Sequence, residues 1–521
     1  MDTKALRQKV LDLAIRGKLV PQDPNDEPAS VLLERIRQQK KQMVRDGKLK
    51  PKDIKNDTII FVGEDNLHYE KFADGSVKCI EDEIPFDLPE GWEWERLSNL
   101  AYFSGGKTPS TSHGEYWDGD TLWVTSKDMK SKYITSSQLR LSSLGAEQMQ
   151  MYPPNTLLLV TRSGILRHTL PVAILKECAT INQDLKAIVL YMPQLVEYIY
   201  MCLKGMETQL LLKYTKSGTT VENVNFDEFQ KVLLPIPPVE QINKIVSSTG
   251  RAECVVTTIE DNKTALADYV VKAKSKILDF AIRGQLVPQD PNDEPASVLL
   301  ERIRTEKEKL IRQGRIKRDK KESVIFRGED NSYYEKISDK VTQYDVDELP
   351  WGWGVGSFSQ CNLFAPETIN PSASPDEMFE LYSVPNFEEG VPEIICGREI
   401  GSSKQSICEH DVLVCKINPR INRVWITGHI TPYQLLGSSE WIVFRNHLLF
   451  APYLRYYFSS PRFRELILSN VSGVGGSLMR AQPESVKKYP VFIPPYQEQI
   501  GITERINELF TLLEVIEKSL N

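Results

Sequence analysis

Histidine and cysteine are scarce in this chain, at six and eight of 521 residues. The cysteines (Cys79, Cys178, Cys202, Cys254, Cys361, Cys396, Cys408 and Cys415) form no C-x-x-C pair and have no histidines at ligand spacing. That spacing argues against both a structural zinc site and a disulfide framework. Each histidine stands alone and no carboxylates pair on a recognisable turn, so neither a catalytic constellation nor a metal site is expected. Long apolar runs are missing too: stretches such as Leu157 to Val160 fall far short of a membrane span. The start, Met1-Asp-Thr-Lys4, lacks the apolar core of a signal peptide, and the expectation is a soluble cytoplasmic protein.

Catalytic signatures are likewise missing. No G-x-S-x-G, H-E-x-x-H or G-x-G-x-x-G occurs. Pro494-Pro-Tyr496 follows Ile493, without the polar residue that would hold a flipped base, so no methyl-transfer site is expected. Ala101 to Thr108 fits a relaxed phosphate-loop pattern, but Pro109-Ser-Thr-Ser-His-Gly114 follows it, which is loop chemistry where a helix is required. A non-enzymatic role leads. Net charge is -7, from 71 acidic and 64 basic residues, which opposes indiscriminate coating of nucleic acid but permits a locally basic groove.

What the chain does have is a duplication. Leu19 to Arg37 recurs unchanged as Leu286 to Arg304. Leu11 to Gly17 matches Leu278 to Gly284, Phe61 to Asn66 matches Phe326 to Asn331, and Leu88-Pro-Glu-Gly-Trp92 matches Leu349-Pro-Trp-Gly-Trp353. Pro237-Pro238 with Glu240-Gln-Ile242 pairs with Pro494-Pro495 and Glu498-Gln-Ile500. Between these frames lie inserts of single-domain size, Trp92 to Pro235 and Trp353 to Ile493, without obvious similarity to each other. A repeated holder carrying two different readers accounts for this pattern.

Apolar positions from Ile242 through Ile245, Ala252, Val256, Ile259, Leu266, Val270, Ala273 and Ile277 to Phe280 have coiled-coil spacing. They predict a helix of ~45 residues, ~65 Å long. Ile502, Ile506, Leu509, Leu513, Ile516 and Leu520 repeat the spacing, and Leu6, Val10 and Leu13 supply the turns that complete it. The two ends read as pieces of one cut helix, so Met1 and Asn521 are expected to meet, with the composite rod antiparallel to the central one. After each repeated Gly a second helix is expected, its far end basic through Lys40, Lys41, Arg45, Lys48 and Lys50 as a solvated face. Strands are expected at 157–160, 187–190, 412–414 and 441–444, and helices at 193–204 and 451–468, making each insert α+β.

This combination resembles the specificity subunit of type I restriction-modification systems over nearly the whole chain. The duplicated Ala-Ile-Arg-Gly-x-Leu-Val-Pro blocks, the Leu-Pro-x-Gly-Trp and Pro-Pro-x-x-Glu-Gln-Ile motifs, and Gly105 to Ser110 leading to Trp123 to Asp128 carry it. The Arg-Gly copy at the N-terminus, where some members have it at the C-terminus, looks like a circular permutation. The resemblance implies an α+β fold with two mixed target-recognition domains joined by long antiparallel coiled-coil helices, pseudo-two-fold and circularly arranged. The corresponding segments are 1–87, 88–236, 237–348, 349–494 and 495–521. It further implies a non-catalytic chain that reads a bipartite site in double-stranded DNA. Two methyltransferase subunits and motor-nuclease restriction subunits are its implied partners, and S-adenosylmethionine, ATP and Mg belong to them, with no cofactor on this chain. Two unlike heads on one face of B-DNA would favour half-sites ~34 Å apart.

Arg, Lys, Asn and Gln read base edges, whereas Ser, Thr and Lys hold phosphates, and loops after strands are where they act. On that basis the candidates in the first insert are Lys107, Thr108, Ser110, Ser126, Lys127, Arg162, Ser163, Asn182, Gln183, Lys216, Thr219 and Thr220. In the second they are Asn386, Lys404, Lys416, Asn418, Arg420, Asn422, Arg423, Ser477 and Arg480. Trp117, Trp123 and Trp425 are read as core. Two other readings stay open: a coiled-coil interaction scaffold without sequence-specific DNA binding, and an enzyme built on the Lys107 loop.

Overall fold

The computed structural model describes residues 2–216, 221–318, 323–337, 340–344, 346, 349–472 and 479–520. It divides into two compact units, Met1–Asn262 and Lys263–Asn521.

In the first unit, Asp2 caps the Thr3–Ile15 helix by accepting from the Ala5 N–H at 2.9 Å. Gly17 ends it at φ 66°, and a Cβ there would lie 2.5 Å from Pro89 Cγ and 3.0 Å from Trp92 Cζ2. The Arg-Gly and Leu-Pro-x-Gly-Trp motifs are therefore two sides of one contact. Trp92 Nε1 donates to Gln22 Oε1 at 3.0 Å and to Gln241 Oε1 at 3.2 Å. The incoming strand Glu93–Arg96 pairs antiparallel with the outgoing strand Leu233–Ile236, closing the insert at its neck. The 44-residue helix Val239–Ile282 follows. Arg7 reaches Glu260 at 3.1 Å, while the Gly17 end sits by Trp92 and Gln241, so the first helix runs opposite to the long one beside it.

The second unit repeats the joint. Gly284 has φ 66°, and a Cβ would meet Pro350 Cγ at 2.3 Å and Trp353 Cζ2 at 3.1 Å. Trp353 Nε1 donates to both carboxylate oxygens of Glu498 at 3.0 Å. Strands Gly354–Ser357 and Pro490–Ile493 make the neck, and Lys274 pairs with Glu517 of the Tyr496–Leu520 helix at 2.7 Å.

Each insert holds a five-stranded and a three-stranded sheet. In the first, the larger sheet runs in the order Ala101–Gly105, Leu185–Leu190, Leu157–Val160, Val172–Leu175, Tyr133–Ile134, and the smaller one centres on Trp117–Val124. All four residues of Leu157–Val160 are buried, as a continuous apolar run requires of a strand covered on both faces. In the second, the sheets centre on Gln434–Gly437 and Val412–Cys415. The inserts share this inventory with little shared sequence, because alternating burial constrains residue class and not identity.

Several expectations are corrected. Residues 451–468 form two helices, Ala451–Ser459 and Pro461–Ser469, because Pro461 cannot continue a helix and Ser460 Oγ caps the second one. Residues 193–195 form a 3-10 turn ahead of the Val196–Gly205 helix. Phe280 is exposed and Leu278 is buried in its place, so the long helix turns a neighbouring face inward at that end. Lys40 is not solvated: it is buried, 2.6 Å from Asp57, 3.3 Å from the Asn99 carbonyl and over the Tyr191 ring. Its ammonium is the one cation of the basic stretch that the fold encloses with a carboxylate. The second Pro-Pro motif is also displaced by one residue, since Glu498 occupies the place of Gln241 and not that of Glu240. Met1 and Asn521, expected to meet, lie outside the described residues.

Candidate nucleic-acid interface

In the first insert the candidates lie on loops at the ends of neighbouring strands, laced by backbone hydrogen bonds. The Lys107 N–H donates to the Ile181 carbonyl at 3.1 Å, Asn182 to Val124 at 3.0 Å, Thr161 to Asp184 at 2.8 Å, and Val224 to Thr161 at 2.9 Å. Lys107, Arg162 and Gln183 are exposed on these loops, and the Thr108 hydroxyl donates to Gln183 Oε1. A Cβ on Gly106 would come within 2.1 Å of the Ile181 carbonyl oxygen, so the Gly-Gly pair lets the Lys107 loop lie against the 181–183 loop. Arg162 bridges to Asn223, which also pairs with Lys216. Lys107, Arg162, Gln183 and Lys216 thus sit along one connected rim.

Other candidates have structural duties. Asn182 is buried, and its amide bonds Asp184 Oδ2 at 3.2 Å. Ser163 accepts from the Ile165 N–H at 3.4 Å, and Ser110 bonds Ser112 at 2.7 Å. Ser126 and Lys127 lie in a turn organised by Asp128, which accepts from the Thr125 N–H and hydroxyl, both at 2.8 Å. Thr219 and Thr220 lie outside the described residues. Trp123 is buried and Trp117 packs edge-on against it at 5.1 Å.

In the second insert, Lys416 and Arg480 share one carboxylate: Glu440 lies 3.9 Å from Lys416 Nζ and 3.0 Å from Arg480 Nη2. Asn418 and Asn422 hold left-handed φ values of 46° and 57°, which asparagine tolerates, and together turn the chain around Pro419. Asn422 donates its amide to the Ser459 carbonyl at 2.8 Å and is structural. Asn418 Oδ1 is buried with no hydrogen-bond partner among the described residues. Arg423 meets Glu388 at 3.4 Å beside the Phe387–Trp425 pair, and exposed Arg420 accepts at its carbonyl from Arg464. Asn386 accepts from the Ser383 hydroxyl at 3.2 Å. Lys404 bonds the Ser402 hydroxyl at 2.6 Å on another strand edge, and partial burial holds its ammonium below the usual lysine range. Ser477 lies outside the described residues.

Sequence reasoning missed Asn223 and Glu440, which tie the cations together. Nothing local marks them: their role comes from strand pairing across 61 residues in one case and from a loop contact across 40 in the other. Among the described residues no group of three or more His, Cys, Asp or Glu can hold a metal ion, and no helix is long and apolar enough to cross a membrane.

Comparison with known proteins follows the same lines. Residues 89–253 match the family model described as the type I restriction modification DNA specificity domain. The EcoEI specificity subunit of Escherichia coli is 24% identical over an alignment covering 99% of this chain and 90% of that one. The EcoAI specificity subunit, also of Escherichia coli, is 26% identical over 67% of this chain and 61% of that one. The solved HsdS subunit of Thermoanaerobacter tengcongensis overlays with a TM-score of 0.41 at 13% identity, over 84% of this chain and 94% of that one. Taken with the duplicated frame, these matches show that residues 89–253 resemble the type I DNA specificity domain and that the chain over nearly all its length is similar to a type I restriction enzyme specificity subunit.

Proposed function

We propose that this chain is the non-catalytic DNA-recognition subunit of a cytoplasmic type I restriction-modification complex, each insert reading one half of a bipartite site in double-stranded DNA. The observation that carries the reading is the rim of Lys107, Arg162, Gln183 and Lys216, where strand-end loops present cations and a Gln side by side. Lys and Arg anchor phosphates, and Arg and Gln bond purine edges bidentately. In the second insert Lys416, Arg420, Arg423 and Arg480 take the same parts.

The segments 1–87, 237–348 and 495–521 form the frame, with 88–236 and 349–494 as recognition domains; the paired neck strands support these limits. The long helices act as antiparallel coiled coils in a pseudo-two-fold, circular arrangement with the chain ends together, supported by the like joints at Gly17 and Gly284. The frame docks two methyltransferase subunits, and motor-nuclease subunits join that assembly. S-adenosylmethionine, ATP and Mg reside on those partners. Footprinting of the complex with its methyltransferase subunits tests the reading: two protected half-sites about one helical turn apart support it, and protection independent of sequence overturns it.

A further inference from the structure

The two inserts share little sequence, yet at the rim their backbone hydrogen bonds match residue by residue. In the first, Leu157–Val160 runs antiparallel between Leu185–Leu190 and Val172–Leu175, and in the second Val412–Cys415 runs antiparallel between Trp441–Phe444 and Val424–Ile426. Beyond those central strands the same bonds recur. The Thr161 N–H donates to the Asp184 carbonyl as the Lys416 N–H does to that of Glu440, at 2.8 and 3.0 Å. Val224 donates to Thr161 as Ala481 does to Lys416, at 2.9 and 2.8 Å, and Ser163 to Glu222 as Asn418 does to Met479, at 3.2 and 2.8 Å. This register makes Asn223 the counterpart of Arg480. Each opens the second strand of an antiparallel pair, Asn223–Val224 or Arg480–Ala481, and each bridges to the loop after the central strand.

Strand alternation turns both side chains outward: Asn223 and Arg480 are exposed, whereas Val224 and Ala481 are buried. The joint itself does not select them, since the same backbone bonds form with an amide in one insert and a guanidinium in the other. What the two share is chemistry. In the major groove an asparagine amide matches N6 and N7 of adenine, and a guanidinium matches O6 and N7 of guanine, each through two hydrogen bonds. Both groups are braced from behind. Asn223 Nδ2 donates to the Val221 carbonyl at 3.3 Å, which uses one amide hydrogen, and a bidentate contact needs the other together with Oδ1. Arg480 Nη2 donates to Glu440 Oε1 at 3.0 Å, and a guanidinium held in this way loses less freedom on meeting a base. A phosphate approaching that guanidinium meets Glu440 as a like charge, whereas a guanine edge carries no net charge.

We infer that Asn223 and Arg480 are corresponding base readers, Asn223 on an adenine of one half-site and Arg480 on a guanine of the other. The inference rests on the DNA reading proposed above and adds which side chain reads which base. The experiment presents the full chain, in complex with its methyltransferase subunits, with duplex DNA randomised across both protected half-sites, and sequences the duplexes retained. Arg480→Ala is expected to lower the preference for guanine at one position of one half-site by about 5- to 150-fold, and Asn223→Ala the preference for adenine at one position of the other by a similar factor. Arg480→Asn is expected to turn the guanine preference into one for adenine, and Asn223→Arg the adenine preference into one for guanine. Each variant contains its own folding control, because the half-site read by the unaltered insert keeps its selectivity in a folded chain. An unchanged profile overturns the inference, as does weakening that is uniform across sequences and lowers the salt slope by about one, which is the mark of a phosphate contact. In both of those cases the unmodified complex still selects two half-sites. If the unmodified complex instead retains duplexes without regard to sequence, the functional reading falls, and the inference with it.

Discussion

Glu498→Gln is expected to stabilise the second unit at pH 8 and not at pH 4. Glu498 is 5% exposed and accepts from Trp353 Nε1 at 3.0 Å and from Gln289 Nε2 at 3.1 Å. Burial, with Asp293 close by, pushes its carboxyl above the usual range. The first unit shows the alternative: Gln241 accepts from Trp92 and uses its own Nε2 to donate to Asp26 at 2.9 Å. A glutamine at 498 would replace carboxylate repulsion with a donor toward Asp293. A hydrogen bond to a charged acceptor contributes roughly 1.5–3 kcal/mol, and weaker bonds from Trp353 and Gln289 subtract part of that. The net expected gain is about 1–2 kcal/mol, each kcal/mol raising the melting temperature by about 2–4 °C in a unit of this size. Because the fold raises the Glu498 pKa, ionisation there costs stability. That cost begins as pH climbs past the unfolded value and is complete above the folded one. The advantage of the variant therefore grows from pH 4 to pH 8. Calorimetry of both proteins at several pH values measures it, and Asp293→Asn should erase it. A pH-independent difference, or none at pH 8, refutes the reasoning.

Glu95, buried and lifted to about 7 chiefly by burial, obeys the same sign, so Glu95→Gln should flatten the loss of stability between pH 5 and pH 8 seen by thermal unfolding. Arg96→Ala strands buried Glu70, leaves Glu83 with Lys78 alone, and should cost about 3–5 kcal/mol in a denaturant titration. Gly17→Ala combines a left-handed φ with a clash against Pro89, and should cost at least about 1 kcal/mol by the same titration. If Lys107 holds a phosphate, Lys107→Ala weakens binding across all sequences and lowers the salt slope by about one; if Arg162 reads a base, Arg162→Ala costs about 1–3 kcal/mol at one half-site only, both read by fluorescence anisotropy.

The duplication, the long helices and most of the named strands were legible because they rest on identity and on period. The Gly17–Trp92 and Gly284–Trp353 contacts explain why motifs 75 and 69 residues apart recur together, yet nothing in the motifs says that they touch. Where reading failed, a partner distant in sequence had decided the outcome. Asp57 and Tyr191 turn Lys40 from a surface lysine into a buried one, and Phe280 and Leu278 exchange roles because the helix face is chosen by what packs on it. The same holds for candidate readers. Asn182 and Asn422 offer the same amide chemistry as Gln183, but Asp184 and the Ser459 carbonyl have claimed their amides. Donor chemistry is written in the sequence; its vacancy is a property of the fold.

The paired neck strands carry a consequence for modularity. Neighbouring strands lie ~4.8 Å apart, so the polypeptide leaves the frame and returns to it at nearly one point, at Glu93–Arg96 with Leu233–Ile236 and again at Gly354–Ser357 with Pro490–Ile493. Whatever hangs beyond that clasp imposes no length or direction on the helices. If each insert reads DNA as proposed, another insert spliced in at the clasp would change the site that is read while leaving the frame unaltered.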